Sequence, residues 1–287
     1  MKRYDVAIIG TGPAGLEAAL TLKNRNTDFI IFGNPYLSDK VSKAHEVRNY
    51  LGLPFINGND MQKAFIDHIN MMNINITNDY IKQVFSLGDY FSLQGEKGEM
   101  YEANTVIISS GVKVGNKYKN EDKYLGMGIS YCATCDAMLY KNKNIACIIE
   151  SKDEYDETIF LSSVVNHIYL FPLFKDNFEL KQNMDIINGD IVGFEGDKKA
   201  NKIILKNGEY DVDGIFILRK SVPPSYLIPG IELDGAHIKT DKNMETNILG
   251  LFAAGDITGT PYQYIKAAGE GNVAALAAVN YLAKRGK

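Results

Sequence analysis

The N-terminal part of the chain contains an apolar run, a glycine-rich turn and a second apolar run. Residues Tyr4 to Ile9 are rich in Val and Ile, which predicts a short buried strand. The motif Gly10-x-Gly12-x-x-Gly15 follows directly, and Leu16 to Leu22 has the apolar content of a buried helix. Strand, glycine turn and helix in this order form the fingerprint of a dinucleotide-binding fold.

The turn itself consists of Gly10, Gly12, Pro13, Ala14 and Gly15. Glycine lets the chain turn tightly and lets its backbone approach a pyrophosphate, while the helix N-terminus supplies free N–H groups and partial positive charge. An ordinary turn remains the alternative, because glycine triplets also occur without a ligand. A second strand is predicted from residues 29 to 32, and no acid follows it to bind a ribose, which weakens the case for NAD and leaves FAD open.

A second candidate for cofactor binding lies near the C-terminus. Residues Ile248 to Ala254 predict a buried strand, Gly255 and Asp256 follow it, and residues 272–283 predict a helix of small side chains. An acid just past a strand, beside a helix start rich in Gly and Ala, suits the close approach of a bulky cofactor. If this segment stood alone, a structural crossover with Asp256 as the helix N-cap would be the preferred interpretation.

Composition narrows the class of protein. At 287 residues with 45% hydrophobic content, the chain is long enough for two domains with their own cores. The net charge of -4 argues against nucleic-acid binding. No uninterrupted apolar stretch approaches ~18 residues, so we expect no membrane span. Three cysteines and an N-terminus unlike a signal peptide predict a reducing, cytoplasmic location.

The most specific chemical signal is the sequence Cys132-Ala133-Thr134-Cys135-Asp136. Two cysteines at this spacing can close and reopen a disulfide, which predicts a redox-active dithiol. A structural disulfide and a zinc site are the alternatives, but a zinc site normally needs a second Cys/His pair, so we expect no metal. The remaining cysteine, Cys147, lies among apolar residues and is expected to be an inert buried thiol.

Three motifs together resemble the low-molecular-weight thioredoxin reductases: the glycine turn at residues 10–15, the dithiol at 132–136 and the sequence Ala253-Ala254-Gly255-Asp256. The resemblance covers nearly the whole chain. It implies two Rossmann-like, three-layer α/β domains, the second inserted in the first. Residues 1–112 and 237–287 would form the FAD-binding domain, and residues 113–236 the redox-dithiol domain. It also implies a homodimer with thioredoxin as substrate.

The inserted domain departs from the family pattern at its nucleotide site. The strand Asn144 to Ile149 is followed by residues 150–157, which contain no glycine and five acids. The next predicted strand, His167 to Phe171, leads into Pro172 rather than into arginines that would hold a 2′-phosphate. The sequence therefore predicts that NADPH binding is lost.

With that departure, the chain is most similar to the pyridine-nucleotide-independent, ferredoxin-linked flavin thioredoxin reductases. This resemblance implies reduced ferredoxin, or secondarily flavodoxin, as electron donor. An NADPH-dependent reductase with an atypical nucleotide site, a flavin-dependent dithiol oxidase and a non-catalytic flavin-binding regulator remain alternatives. A run of lysines at positions 113, 117, 119 and 123 would suit an acidic donor, although a solvated surface is the simpler interpretation.

The resemblance also implies residue roles. Cys135 would face the flavin, Cys132 would attack the substrate disulfide, and Asp136 would carry the proton. The alternative for Asp136 is a helix N-cap beside the dithiol turn, and both roles could hold together. Tyr262 replaces the family's arginine, and Tyr262 or Tyr264 would cover a flavin face unless it is simply a surface tyrosine. Besides the glycine turn, the implied FAD contacts are Lys40, Asn49, Gly111, Gly255, Asp256, Tyr262, Gln263 and Ile265.

Overall fold

The computed structural model of the protein describes residues 2–36, 39–42, 44, 46–111, 118–131, 133–219 and 223–286, apart from the side chains of residues 39, 40, 122, 134, 135 and 153. The chain divides into two compact units. The first unit contains Met1–Lys113 and Pro223–Lys287, and the second contains Val114–Val222. The predicted fold class, two Rossmann-like α/β units, is confirmed.

The first unit begins with strands and helices in alternation. Its N-terminal elements are β1 (Arg3–Ile9), α1 (Pro13–Asn24), β2 (Phe29–Phe32), α2 (Asp39–Ser42), α3 (Gly58–Met71), β3 (Ile76–Thr77), β4 (Ile81–Ser86), β5 (Phe91–Gly95) and β6 (Met100–Ile108). The predicted strand, turn, helix and second strand are therefore all present.

The second unit follows, and the chain then returns to the first. The second unit contains α4 (Glu121–Tyr124), β7 (Ile129–Ser130), α5 (Ala133–Asp136), β8 (Asn144–Ile149), α6 (Tyr155–Ser162), β9 (His167–Pro172), β10 (Met184–Ile186), β11 (Ile191–Glu195), β12 (Lys202–Leu205), β13 (Gly208–Asp211) and β14 (Gly214–Leu218). The returning segment contains α7 (Pro224–Leu227), β15 (Leu233–Asp234), β16 (His237–Ile238), β17 (Leu251–Ala253) and α8 (Tyr264–Arg285).

The sheet of the first unit has the strand order β3-β2-β1-β6-β5-β4, and β17 pairs with the C-terminal half of β6. The strands β3, β2, β1, β6 and β17 are parallel, whereas β4 and β5 form an antiparallel hairpin against β6. In β1 the residues from Val6 to Ile9 are buried, as their unbroken apolar run predicts. A core of apolar side chains from β1, α1 and α8 packs on this sheet.

Helices α1 and α8 pack closely because Gly271 has no side chain. A Cβ at Gly271 would overlap the carbonyl oxygen of Ala14. Helix α8 starts at Tyr264, so it includes Gly269 and Gly271, which lie before the helix predicted for residues 272–283. The predicted strand from residue 248 is also shorter than expected, because Gly250 has φ +80°, outside the extended region.

The sheet of the second unit is parallel, with the strand order β10-β9-β8-β14-β7. A separate antiparallel sheet consists of β11, β12 and β13. Both strands predicted here, β8 and β9, are present within one residue of their expected ends.

The sequence-based joins near residues 112 and 236 stay predictions. The structure assigns residues 223–236 to the first unit. There the side-chain amide of Asn247 donates to the Gly230 carbonyl at 2.9 Å, and its oxygen accepts from the Glu232 N–H at 2.9 Å. Residue 112 is outside the described residues.

Candidate functional site

The glycine turn of the first unit is held tightly against the end of β6. Gly10 has φ +118°, and a Cβ there would overlap the Ser109 carbonyl. A Cβ at Gly15 would overlap the carbonyl oxygen of Gly10. The Ser109 hydroxyl donates to the Ile9 carbonyl at 2.9 Å and fastens the turn to the strand. Glycine is thus required at positions 10 and 15 by the protein's own backbone.

Gly12 differs, because a Cβ at this position would meet no protein atom within 4 Å. Gly12 is the N-cap of α1 and provides no side-chain hydrogen bond to the first helical turn, and Pro13 begins the helix. The N-terminal turn of α1 therefore presents backbone N–H groups and a partial positive charge toward open space. This geometry fits the pyrophosphate of FAD, whose close approach a side chain at residue 12 would block.

The loop after β17 lies beside this turn. Gly255 has φ +90°, and a Cβ there would lie 3.0 Å from the Ala14 Cβ. Asp256 begins a 3₁₀ turn, Asp256–Thr258. The N-cap of α8 is Gln263, so the alternative in which Asp256 caps this helix is wrong. The loop instead places Asp256 directly after Gly255, which lies against Ala14 of the glycine turn.

Two residues that the sequence analysis missed hold this loop in place. The Lys266 ammonium donates to the carbonyls of Gly255 (3.0 Å) and Gly259 (2.8 Å). It also forms an ion pair with Glu270 at 3.1 Å. The same carboxylate accepts from the Gly255 N–H at 2.8 Å. Opposite charges at an i,i+4 spacing at the start of α8 were the signal that could have revealed this network.

The remaining implied FAD contacts also lie in the first unit. Gly111 has φ +69°, with open space where its Cβ would stand. Asn49 and Ile265 are exposed. Next to Asn49, Tyr50 packs in the same apolar cluster as Tyr264, which brings the segment around residue 49 to the start of α8. The side chain of Lys40 lies outside the described part of the chain.

The two tyrosines that flank Gln263 have different environments. Tyr264 packs in the cluster around Val47 and Met61, and burial, followed by the negative charge of Asp256, raises its pKa. The Tyr262 side chain is 52% exposed. Its hydroxyl lies 2.6 Å from Nε2 of His237. Tyr262 is thus the more accessible of the two for contact with a flavin.

The dithiol segment belongs to the second unit. Cys132 lies outside the described residues, and of Cys135 only the backbone, within α5, is described. The Asp136 carboxylate accepts a hydrogen bond from the Ser130 hydroxyl at 2.7 Å. Asp136 occupies the N-cap position of the following 3₁₀ turn, Ala137–Tyr140, but its side chain makes no capping hydrogen bond there. The carboxylate is therefore directed toward the end of β7.

Cys147 is free and fully buried, so its predicted burial is confirmed. Burial raises its pKa to about 12, despite a contact of 3.5 Å between its Sγ and Thr158 Oγ1. A thiol with this pKa stays protonated at neutral pH and is a poor nucleophile.

The turn between β8 and α6 occupies the position of a second glycine turn, and it contains a buried carboxylate instead. Glu154, only 3% exposed, accepts from the Ser151 N–H at 2.6 Å and from the Ser151 hydroxyl at 2.7 Å. The neighbouring Lys152 is paired with Asp176 at 2.9 Å. A protein carboxylate thus takes the turn N–H that a phosphate would use in a nucleotide-binding turn.

Within the part of the chain that the structure describes, we find no group of acidic, His or Cys residues suited to a metal ion. Among the same residues, no helix has the length and apolar character needed to cross a bilayer.

Comparison with known proteins agrees with this geometry. The profile of the pyridine nucleotide-disulphide oxidoreductases matches residues 4–152, and that of glucose inhibited division protein A matches residues 223–286. Thioredoxin reductase from Ureaplasma parvum serovar 3 is 31% identical, over 98% of this chain and 97% of the relative.

Two crystal structures of a ferredoxin-flavin thioredoxin reductase from Clostridium acetobutylicum are similar in fold and sequence. One is 44% identical with a TM-score of 0.91, over 98% of this chain and 99% of that chain. The other is 43% identical with a TM-score of 0.84, over 100% of this chain and 99% of that chain. By sequence, fold and cofactor cradle, the chain therefore belongs to the thioredoxin reductase family of the pyridine nucleotide-disulphide oxidoreductases.

Proposed function

We propose that this flavoprotein accepts electrons from reduced ferredoxin and passes them through FAD and the Cys132/Cys135 dithiol to the disulfide of thioredoxin. The observation that most supports this proposal is the buried Glu154 carboxylate in the β8–α6 turn. It accepts a hydrogen bond from a backbone N–H group that a nicotinamide nucleotide would need for its phosphate. The likeness to the Clostridium acetobutylicum enzyme supports the same donor and the same substrate.

The energetic argument against NADPH has two parts. Charge-assisted hydrogen bonds between a turn and a phosphate contribute ~1.5–3 kcal/mol each. Losing two of them weakens binding by at least about a hundredfold. The turn also carries negative charge, which repels a negatively charged phosphate. The acids in and near it are Glu150, Asp153, Glu154, Asp156 and Glu157.

In the first unit, this chain's own residues would hold the cofactor. Gly12 would leave room for the pyrophosphate at the N-terminus of α1, and Gly15 would let the turn close against Gly10. Asp256 would accept hydrogen bonds from hydroxyls of the ribityl chain. Lys266 and Glu270 keep the Gly255 loop in place. When bound, FAD takes electrons singly from a one-electron carrier and delivers them in pairs to a disulfide.

In the second unit, the dithiol performs exchange with the substrate. The Cys132 thiolate attacks one sulfur of the substrate disulfide and displaces the other sulfur as a thiolate, which takes a proton. Cys135 then attacks Cys132 in the mixed disulfide and releases the second substrate thiol. Two electrons and two protons leave the enzyme, and its own disulfide is closed. Asp136, oriented by Ser130, is the group we assign to proton transfer.

We also propose that the protein acts in the cytoplasm as a homodimer and binds neither nucleic acid nor membranes. Low cysteine usage favours a reducing compartment, and the net negative charge disfavours nucleic acid. Analytical ultracentrifugation of the FAD-loaded protein tests the assembly, and a monomer at micromolar concentration would contradict it.

Anaerobic stopped-flow mixing tests the donor. The FAD-loaded protein is mixed separately with reduced ferredoxin, NADPH and NADH, and flavin absorbance is followed. Of the three donors, only reduced ferredoxin should bleach the flavin quickly. When oxidised thioredoxin is then added, one thioredoxin thiol should form for each one-electron ferredoxin oxidised. Fast loss of flavin absorbance with micromolar NADPH would instead identify the protein as an NADPH-dependent reductase. Rapid oxygen consumption driven by a dithiol, without ferredoxin, would identify a dithiol oxidase.

A further inference from the structure

Three residues lie immediately after neighbouring strands of the second unit's parallel sheet. Strand β14 lies between β8 and β7, and its last residue, Leu218, is paired with Ile149, the last residue of β8. Arg219, Glu150 and Tyr131 follow the ends of β14, β8 and β7. These residues therefore share one edge of the sheet, and it is the edge at which α/β folds bind ligands.

At this edge the side chains form a buried ionic cluster. Arg219 lies 3.2 Å from Glu150 through Nε and 3.2 Å from Glu121 through Nη1. The Tyr131 hydroxyl donates to the Glu121 carboxylate, and the Arg219 guanidinium lies 5.3 Å from the centre of the Tyr131 ring. The side chains of Arg219 and Glu121 are only 6% and 1% exposed. Internal charges thus occupy the edge of the sheet where a nucleotide would bind.

One residue of the cluster adjoins the dithiol in the sequence. Tyr131 is fully buried and is the residue directly before Cys132 in the sequence. Its hydroxyl and its ring are both fixed by buried charges, so the chain enters the dithiol segment from a fixed point. On the far side of the segment, Ser130 holds the Asp136 carboxylate at 2.7 Å. Adjacent residues of one strand end therefore anchor the segment on both sides of the cysteine pair.

We propose that Arg219 is a positioning residue of the dithiol. Arg219 lies between Glu121 and Glu150 and keeps the Glu121 carboxylate in place to accept the hydrogen bond from the Tyr131 hydroxyl. Because Tyr131 directly precedes Cys132, this contact sets how readily the disulfide between Cys132 and Cys135 closes. The inference rests on the proposed redox role of the two cysteines. It goes beyond that role because it assigns the ease of disulfide closure to a cluster that neither cysteine belongs to.

Breaking the contacts among Tyr131, Glu121 and Arg219 should lower the effective concentration of the Cys132 thiol near the Cys135 thiol. A tenfold decrease moves the equilibrium between dithiol and disulfide tenfold toward the dithiol, which corresponds to a reduction potential about 30 mV more positive for a two-electron couple. We expect a shift of about this size for Tyr131→Phe and for Arg219→Lys, which keeps the charge but loses the planar fork.

The test is a redox titration of the FAD-loaded protein in glutathione buffers. Each protein disulfide that closes converts one oxidised glutathione into two thiols. Trapping with an alkylating agent and mass spectrometry then counts free cysteines, with Cys147 as an internal standard for a thiol that stays reduced. The double variant should shift no further than the larger single shift, because both substitutions break one network. A purely structural role would lower the melting temperature and leave the potential unchanged.

Matched controls separate this effect from general perturbation. Tyr155→Phe removes another tyrosine hydroxyl in the same unit, which donates to the Glu179 carbonyl at 2.8 Å, and should leave the potential unchanged. If Tyr131→Phe and Arg219→Lys fold and keep the wild-type reduction potential of the Cys132–Cys135 disulfide, the positioning role of Arg219 is wrong. The proposed function would then be unaffected. A wild-type protein that never closes the Cys132–Cys135 disulfide would overturn the proposed function as well. If Arg219→Lys does not fold, Tyr131→Phe decides the question.

Discussion

The turns β1–α1 and β8–α6 occupy equivalent places in the parallel parts of two sheets, yet their chemistry is opposite. In the first, Gly12 leaves open space at the helix N-terminus. In the second, Glu154 accepts from the turn N–H of Ser151. One fold thus supports a cofactor cradle in one unit and a filled, acidic turn in the other. The difference teaches that a Rossmann-like topology does not imply a nucleotide site, which depends on a few side chains at the turn.

The largest effect should come from the two cysteines of the second unit, to which we assign the exchange with substrate. Cys132→Ser should abolish thioredoxin reduction but leave a thiolate at Cys135 that still perturbs flavin absorbance. Cys135→Ser should lose that spectral signature. Assays of thioredoxin reduction and absorbance spectra of both variants provide the measurement. Exchanged behaviour of the two variants would reverse the roles, and full activity in either would refute the mechanism.

Next in size is the loss of cofactor on substituting Gly12. Because a Cβ at this position meets no protein atom within 4 Å, Gly12→Leu should fold normally and lose most of its FAD. Flavin absorbance per protein and far-UV circular dichroism measure the two effects separately. Gly269→Ala, at an exposed helical glycine with equal space, is the matched control and should stay yellow. A fully loaded Gly12→Leu protein would disprove the cradle.

A smaller effect is expected from the charged pair that holds the Gly255 loop. Lys266→Met removes hydrogen bonds to two carbonyls and leaves Glu270 without its ion pair. Loss of one charge-assisted interaction, about 1.5–3 kcal/mol, should weaken FAD binding by roughly tenfold to a hundredfold. Fluorescence titration of apoprotein with FAD measures it. Lys284→Met, at an exposed lysine in the last turn of the same helix, should bind FAD as the wild type does.

The filled turn provides the fourth test. Glu154→Ala leaves the Ser151 N–H without its acceptor and should lower the free energy of unfolding by about 1–3 kcal/mol. Denaturant unfolding measures this change. NADPH should still fail to bleach the flavin of this variant, because Glu150 remains in the turn. Efficient bleaching would mean that one carboxylate alone excludes the nucleotide. Glu179→Ala, at an exposed acid in the same unit, is the control.

The smallest effect concerns pH and Cys147. Burial raises the thiol's pKa from 9.0 to about 12, so in this interval the unfolded chain releases a proton that the folded chain keeps. Folding stability should therefore fall as pH rises above about 9, and Cys147→Ala should reduce that slope. Chemical unfolding at pH 8 and pH 10 gives the comparison. Equal slopes in wild type and variant would contradict the assigned burial.

The elements most predictable from the sequence were those that depend on local pattern. The strand Tyr4–Ile9, the glycine turn and the burial of Cys147 follow from apolar runs and glycine spacing. The Arg219 cluster was not predictable, because its partners Glu121 and Glu150 are distant in sequence and a charged residue after a strand normally reaches solvent. The start of α8 was misplaced because Gly269 and Gly271 weaken helix propensity, whereas packing against Ala14 requires Gly271.

The close packing of α1 on α8 has a consequence for the order of events during synthesis. Strand β6 pairs with β17 and helix α1 packs on α8, so the first unit lacks part of its sheet and one core helix until residues 251–285 have left the ribosome. The second unit, contained in Val114–Val222, has all its strands much earlier. We therefore expect it to fold first during translation, with flavin acquired only as a late step after α8 emerges.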